Sequence, residues 1–166
     1  EMFFNKNKVA SRLLKSAAMR LHLGEHNAKG LADTHAQLTA ASADLQVYRG
    51  QDEEFYVKNF WRAFPPEHPD VTTHLQKVPR EQSIVWRKFR PEFCRRYDKE
   101  LLSPDALSLS SNGVSDRENQ DNGVKIATEY LCNELIPSFL ESLSMRDFAM
   151  PLSEGFCLDL SAELHS

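Results

Sequence analysis

The residues best suited to chemistry lie in one run. Arg87, Lys88, Arg90, Arg95, Arg96 and Lys99 interleave with Trp86, Phe89, Phe93 and Tyr97. Cations neutralise phosphates, and aromatic rings stack on unpaired bases; together these are what contact with single-stranded RNA requires. Equally, the rings could be core and the cations the coat of its outer face. The inward spacing of Phe93 and Tyr97 on a helix favours that role for those two rings. The six cations are the candidate RNA-binding residues. His22 and His26 lie four apart, the spacing at which one helix face offers two imidazoles to a metal. Gly24 between them ends a helix, so they read as surface histidines. Asp52, Glu53 and Glu54 form an acidic turn tip, read as solvated rather than cation-binding. There is no GxxxxGK[ST], GxGxxG, HExxH or GxSxG. The chain is expected to be no enzyme and to need no cofactor.

Composition narrows the field further. With 166 residues the chain is one domain or a large piece of one. Leu, Ile, Val and Phe make up about a quarter of it, above the ~20% floor below which chains stay disordered. Twenty cations against twenty-four acids leave a net charge of −4. That excludes a wholly basic nucleic-acid-binding domain and leaves room only for a local basic strip. Cys94, Cys132 and Cys157 are odd in number and form no CxxC, so they read as reduced thiols of a cytosolic protein. No run approaches 18 apolar residues, the length of a membrane-spanning helix. The first residues, Glu1-Met2-Phe3-Phe4-Asn5-Lys6, do not have the pattern of a signal peptide.

The elements that must position the basic run follow from hydrophobic period. Val9 to Leu23 carries Val9, Leu13, Leu14, Ala17, Ala18 and Leu21 at helical spacing, with Asn7 or Asn5 to cap it and Gly24 to close it. Gly30 to Ala43 is weakly patterned and reads as loop with local helix. Leu45–Arg49 and Phe55–Asn59 alternate on either side of Gly50-Gln51-Asp52-Glu53-Glu54, which predicts a hairpin. Pro65, Pro66 and Pro69 hold the next stretch extended. Ser83 to Phe89 suits a strand, and Pro91 the first turn of a helix reaching Tyr97. Ser103 to Gly123, rich in Ser, Asn, Asp and Gly, reads as a flexible surface loop. Val124 to Leu143 is a second long helix that Pro137 must kink. Asp159 to His165 looks like the start of a further helix, capped by Asp159 or Ser161. The fold class is therefore α+β: helices packed on a small antiparallel sheet.

Several of these segments resemble, in order, the clustered mitochondria (Clu) domain family. The hairpin and its exit, from Gly50-Gln51-Asp52 through Phe55-Tyr56-Val57 to Arg62-Ala63-Phe64-Pro65-Pro66-Glu67, are similar to a Gly-x-Asp-Gly-Arg turn, an apolar strand and an Arg-x-Phe-Pro-Pro-Glu exit. Phe89-Arg90-Pro91-Glu92-Phe93 and Leu102-Ser103-Pro104-Asp105-Ala106-Leu107 resemble the family's Arg-Pro-Glu helix and Leu-Ser-Ser-Asp-Ala segment. Glu134-Leu135-Ile136-Pro137-Ser138-Phe139 resembles its kinked helix, and Leu160 to Ser166 the lead-in to a Gly-Ile-Asn-x-Arg motif. Departures fall at Glu53-Glu54, where the family has Gly-Arg, and at Lys58-Asn59, where it has an apolar residue and Asp. The resemblance implies that residues 1–166 are the C-terminal part of a Clu-like domain with a flexible insertion about 103–123, a fragment of a larger domain. It implies a cytoplasmic protein that binds messenger RNA, serves translation and keeps mitochondria distributed. Some members of the family are described as subunits of eukaryotic translation initiation factor three. Implied partners are messenger RNA or the translation machinery and other domains of the same long chain, with no insertion into a membrane. The alternative is a module that docks partner proteins without touching RNA.

Overall fold

A computed structural model describes residues 7–30, 34–72, 87–111 and 114–144. Helix α1 runs Lys8–Leu21. Asn7 caps it: its side-chain oxygen accepts from the amides of Val9 and Ala10 at 3.0 and 3.1 Å, which satisfies two of the donors a helix start leaves unpaired. The stop differs from expectation. His22, not Gly24, takes the left-handed conformation at the C-terminal end (φ 60°). Its ring Nδ1 bonds the carbonyl of Cys94 at 2.9 Å, a tertiary contact that holds a residue other than glycine in this conformation. Ala10 and Ala18 are buried, while Val9, Leu13 and Met19 stay exposed.

Two short antiparallel hairpins follow. Strand β1 (His26–Ala28) pairs with β2 (Gln37–Thr39), His26 opposite Thr39. This replaces the loop expected at Gly30–Ala43; strands of three residues are too short to show an alternation of period two. Strand β3 (Gln46–Arg49) pairs with β4 (Phe55–Lys58) in the expected hairpin, Tyr48 opposite Tyr56 and Val47 opposite Val57. A Cβ at Gly50 would meet the Asp52 carboxylate and the Tyr56 ring, which a larger residue would have to push aside. Each hairpin is its own two-stranded sheet, so the architecture is α+β with two small sheets rather than one. After the 3₁₀ turn Phe60–Arg62, the proline-rich exit runs extended and buried. It pairs with the segment leading into the next helix: Phe89 N–H donates to Pro65 O at 2.9 Å and Glu67 N–H to Arg87 O at 3.1 Å. Of the strand expected at Ser83–Phe89, residues 83–86 lie outside the described residues, and Lys88 makes a single bridge to Pro66.

Helix α2 (Pro91–Arg96) starts at proline as expected. Phe89, Phe93 and Tyr97 stack in sequence at 4.6 and 5.4 Å between ring centroids, and Tyr130 closes on the last two. With Ala18, Leu23, Leu102, Ala106, Leu107, Val124 and Ala127 they make the core.

The surface loop expected at 103–123 is corrected. Residues 102–108 are buried, Asp105 and Ala106 fully so. Helix α3 (Arg117–Tyr130) begins inside the stretch and absorbs Asn122-Gly123. Its polar residues bind one another instead of water. The Ser103 hydroxyl donates to Gln120 Oε1, the Ser108 hydroxyl to Asp105 O, the Ser111 hydroxyl to Ser108 O, and Leu107 N–H to Asp121 Oδ1 at 2.7 Å. Beyond α3 the helix widens to a π-turn, Leu131–Leu135, before α4 (Ile136–Ser144). The π-turn precedes Pro137, which has no amide hydrogen to donate back into the helix. The helix start expected at Asp159–His165 lies outside the described residues, as does Cys157.

Candidate nucleic-acid interface

The basic run is built around α2. A six-residue helix pinned by three stacked rings has one face committed to the core: Phe93, Cys94 and Tyr97 are buried. The residues between must point outward, and Arg90, Arg95, Arg96 and Lys99 are exposed. The Arg95 side chain is 55% exposed and lies 3.9 Å from Glu92. Arg87 is half-exposed and 3.6 Å from Glu67. The Lys99 ammonium sits 4.6 Å from the centroid of the Tyr130 ring, a cation–π contact that leaves its charge at the surface. Five of the six candidate cations therefore share the surface around one helix. The rings between them do not: Phe89, Phe93 and Tyr97 are core and cannot stack on bases, and Trp86 lies outside the described residues.

Lys88 also departs from the strip. Its ammonium is buried and finds no hydrogen-bond partner among the described residues. Burial, reinforced by the Arg62 charge, pushes its pKa down from 10.5 to about 8, against the pull of Asp105 and Asp44. Arg62 lies 3.2 Å from Asp44, and its Nε is likewise buried without a partner. Lys88 thus belongs to an internal group of charges, because its bridge to Pro66 fixes the backbone on the inner edge of the proline-rich segment. Period alone does not reveal this, since the partner strand is a run of prolines.

His26 is corrected as well. It is not at the surface but 2% exposed, and its Nε2 lies 3.0 Å from the fully buried Asp105 carboxylate. That carboxylate also accepts from the Ser42 hydroxyl at 3.0 Å and the Ala43 amide at 2.8 Å. These bonds make it the polar centre that ties β1, the loop after β2 and the 102–108 segment together. His22 is half-buried on the Cys94 carbonyl. The acidic turn stays at the surface: Asp52 accepts from the Tyr56 hydroxyl at 2.6 Å and from Glu54 N–H, bonds that hold its carboxyl below the usual range. Glu53 pairs with Arg49 at 2.7 Å. Among the described residues no three His, Cys, Asp or Glu side chains are placed to share a metal ion. Burial pushes the Cys94 thiol up to about 12, so it is unreactive.

Exposed rings do occur, but elsewhere. Tyr48, Tyr56, Phe60 and Trp61 are each more than half exposed, on and just after the second hairpin. Their signal in the sequence is the alternation that marks Tyr48 and Tyr56 as one face of a two-stranded sheet. No described helix is long and apolar enough to cross a membrane.

No curated protein and no solved structure matches the chain. The family model described as Clustered mitochondria matches residues 2–69, which hold α1, both hairpins and the proline-rich exit. The further resemblances at Phe89–Phe93, Leu102–Leu107, Glu134–Phe139 and Leu160–Ser166 fall after the matched residues. From α1 to the proline-rich exit, the chain is similar to the family described as Clustered mitochondria.

Proposed function

We propose that this chain is a non-enzymatic part of a cytoplasmic Clu-type protein and contacts messenger RNA through phosphates, using Arg87, Arg90, Arg95, Arg96 and Lys99. The observation that supports this is the outward placement of five cations around α2 on a chain whose net charge is −4. Residues 87–100 hold six cations against three carboxylates, a local excess that offsets the repulsion of phosphate by the whole. With Phe89, Phe93 and Tyr97 buried, the strip acts chiefly through its charge on phosphates. It binds without sequence preference, and specificity belongs to other domains or to the translation machinery. A role in translation and in mitochondrial distribution rests on the family resemblance.

The test is Arg95→Glu/Arg96→Glu, with affinity for a single-stranded RNA measured at two salt concentrations. Both side chains are exposed, so the melting temperature should hold. Affinity should drop at least tenfold, and the salt slope should shallow by about 1.4, or ~0.7 for each phosphate no longer neutralised. Equal affinity in the two proteins, or wild-type binding indifferent to salt, would favour docking of partner proteins instead.

A further inference from the structure

The solvent side of α1 is unlike the rest of this acidic chain. The helix carries Lys8, Arg12, Lys15 and Arg20 and no acid. Its inward side holds Ala10 and Ala18, both buried, with Leu14 and Leu21 half-buried. The helical repeat therefore turns Lys8, Val9, Arg12, Met19 and Arg20 away from the body, with Leu13 at the border. Exposure agrees: the three cations are exposed, and Val9, Leu13 and Met19 are 48%, 51% and 69% exposed. Among the described residues Lys15 is the one cation of α1 paired with a carboxylate, that of Glu25 at 2.8 Å.

Two kinds of side chain on this face are left to solvent. Val9, Leu13 and Met19 gain by leaving water, and Lys8, Arg12 and Arg20 gain by meeting anions. The phosphates of a nucleic acid satisfy the cations alone, because none of the three apolar side chains offers a ring to a base. A protein partner needs a groove shaped to a convex helix and lined with acids. A bilayer containing anionic lipids satisfies both kinds without any matching shape. Its headgroups carry the negative charge, and the boundary with its acyl chains takes up apolar side chains.

We propose that α1 lies flat on anionic membrane surfaces, with Val9, Leu13 and Met19 inserted among the headgroups and Lys8, Arg12 and Arg20 on their negative charges. The helix stays packed on the core through Ala10 and Ala18, so it neither leaves the fold nor crosses the bilayer. Three cations and three apolar side chains are less than a stable anchor takes. The contact is therefore peripheral, reversible and weakened by salt. On a chain of net charge −4, a negative bilayer is drawn to local basic surfaces and repelled by the rest. The proposal uses none of the cations around α2 and stands or falls apart from the RNA reading.

The test is co-sedimentation of the 166-residue chain with phosphatidylcholine vesicles containing about one quarter phosphatidylserine, beside vesicles of phosphatidylcholine alone. The chain should pellet with the anionic vesicles, less so at high salt, and stay in solution with the neutral ones. Arg12→Glu/Arg20→Glu should weaken partition at least 25-fold, or about fivefold for each cation lost. Leu13→Gln/Met19→Gln should weaken it about tenfold, and Met19→Gln alone, at the most exposed position, in part. Unchanged circular dichroism and melting temperature would show that the variants are folded. Arg95→Glu/Arg96→Glu should bind vesicles as the wild type does. No pelleting with either vesicle, or equal pelleting with both, overturns the proposal. So does binding that survives the α1 charge reversal but is lost in Arg95→Glu/Arg96→Glu, which would assign the contact to α2. Binding untouched by both glutamine variants would overturn it too, leaving an ionic contact that an acidic protein could make equally well.

Discussion

Glu53 shows how one residue records the demand of a turn. The five residues between β3 and β4 bring Glu53 to φ 69°, the left-handed region. A residue with a Cβ loses roughly 1–2 kcal/mol there, and glycine loses none of it. The family pattern that the turn resembles has glycine at this position, and this chain has glutamate. The Arg49–Glu53 contact offsets part of the strain, but both side chains are largely exposed, and exposed pairs contribute less than about 1 kcal/mol. Asn59 is also left-handed, at φ 63°; asparagine tolerates this, and its side-chain amide donates to Asp44 O at 3.0 Å. Comparison of Glu53→Gly with Glu53→Ala isolates the backbone term, since both lose the ion pair. The glycine variant should be the more stable by about 1 kcal/mol in chemical denaturation. Equal midpoints for the two would mean that the turn carries no strain.

The elements differ in how firmly they are held, and the same difference governs how well they could be read. An isolated two-stranded hairpin is marginal in water, and Tyr48, Tyr56 and Val57 of the β3–β4 hairpin are about half exposed. Helix α3 instead has Val124, Ala127 and Thr128 fully buried. In hydrogen exchange the amides of Tyr48 and Tyr56 should open by local fluctuation, while those of Val124 and Ala127 should wait for global unfolding. Equal protection in the two elements would show that the hairpin is anchored as tightly as the core. Where the hydrophobic period is strong, as in α1, α2 and the alternating hairpin, the sequence was enough to place the element, although much of the α1 stripe and the hairpin stay exposed. It was not enough where polarity and burial part company. Ser103, Asp105, Ser108 and Ser111 have the composition of a loop, yet their hydroxyl and carboxyl groups are satisfied internally and all four are buried. Composition measures affinity for water, not whether another chain segment supplies the same bonds. The cation strip was legible to the same degree: alternation with aromatics placed the arginines outside and the rings inside, but it did not foresee that Lys88 would follow the rings inward.

At the scale of the whole molecule, the buried titratable groups set how stability responds to alkali. Lys88 has a pKa near 8 in the fold and 10.5 when solvated. Between those values the unfolded chain binds more protons, so stability rises with pH across that window. Cys94 acts in the opposite sense. Its thiol titrates near 12 in the fold against 9.0 in water, so between pH 9 and 12 the folded chain retains the proton and stability falls. Tyr97, raised by burial and by the charges of Glu100 and Asp98, adds to the fall above about pH 10. Between about pH 9 and 10.5 the two slopes largely offset each other, so these groups favour stability on the alkaline side of neutrality, although the chain as a whole is acidic. Lys88→Met removes the rising limb. It should stabilise the protein at pH 7 by on the order of 1–3 kcal/mol, because a desolvated ammonium without a hydrogen-bond partner is replaced by an apolar side chain of similar length. It should leave RNA affinity unchanged, since the ammonium does not reach the strip. Cys94→Ala should flatten the falling limb while opening a small cavity, a loss of ~1 kcal/mol. Denaturant midpoints of the three proteins from pH 7 to pH 10 test this. A wild-type midpoint that is flat or falling from pH 7 to 9, or a Lys88→Met variant less stable than wild type at pH 7, would mean that the ammonium is solvated or paired and that its burial costs the fold nothing.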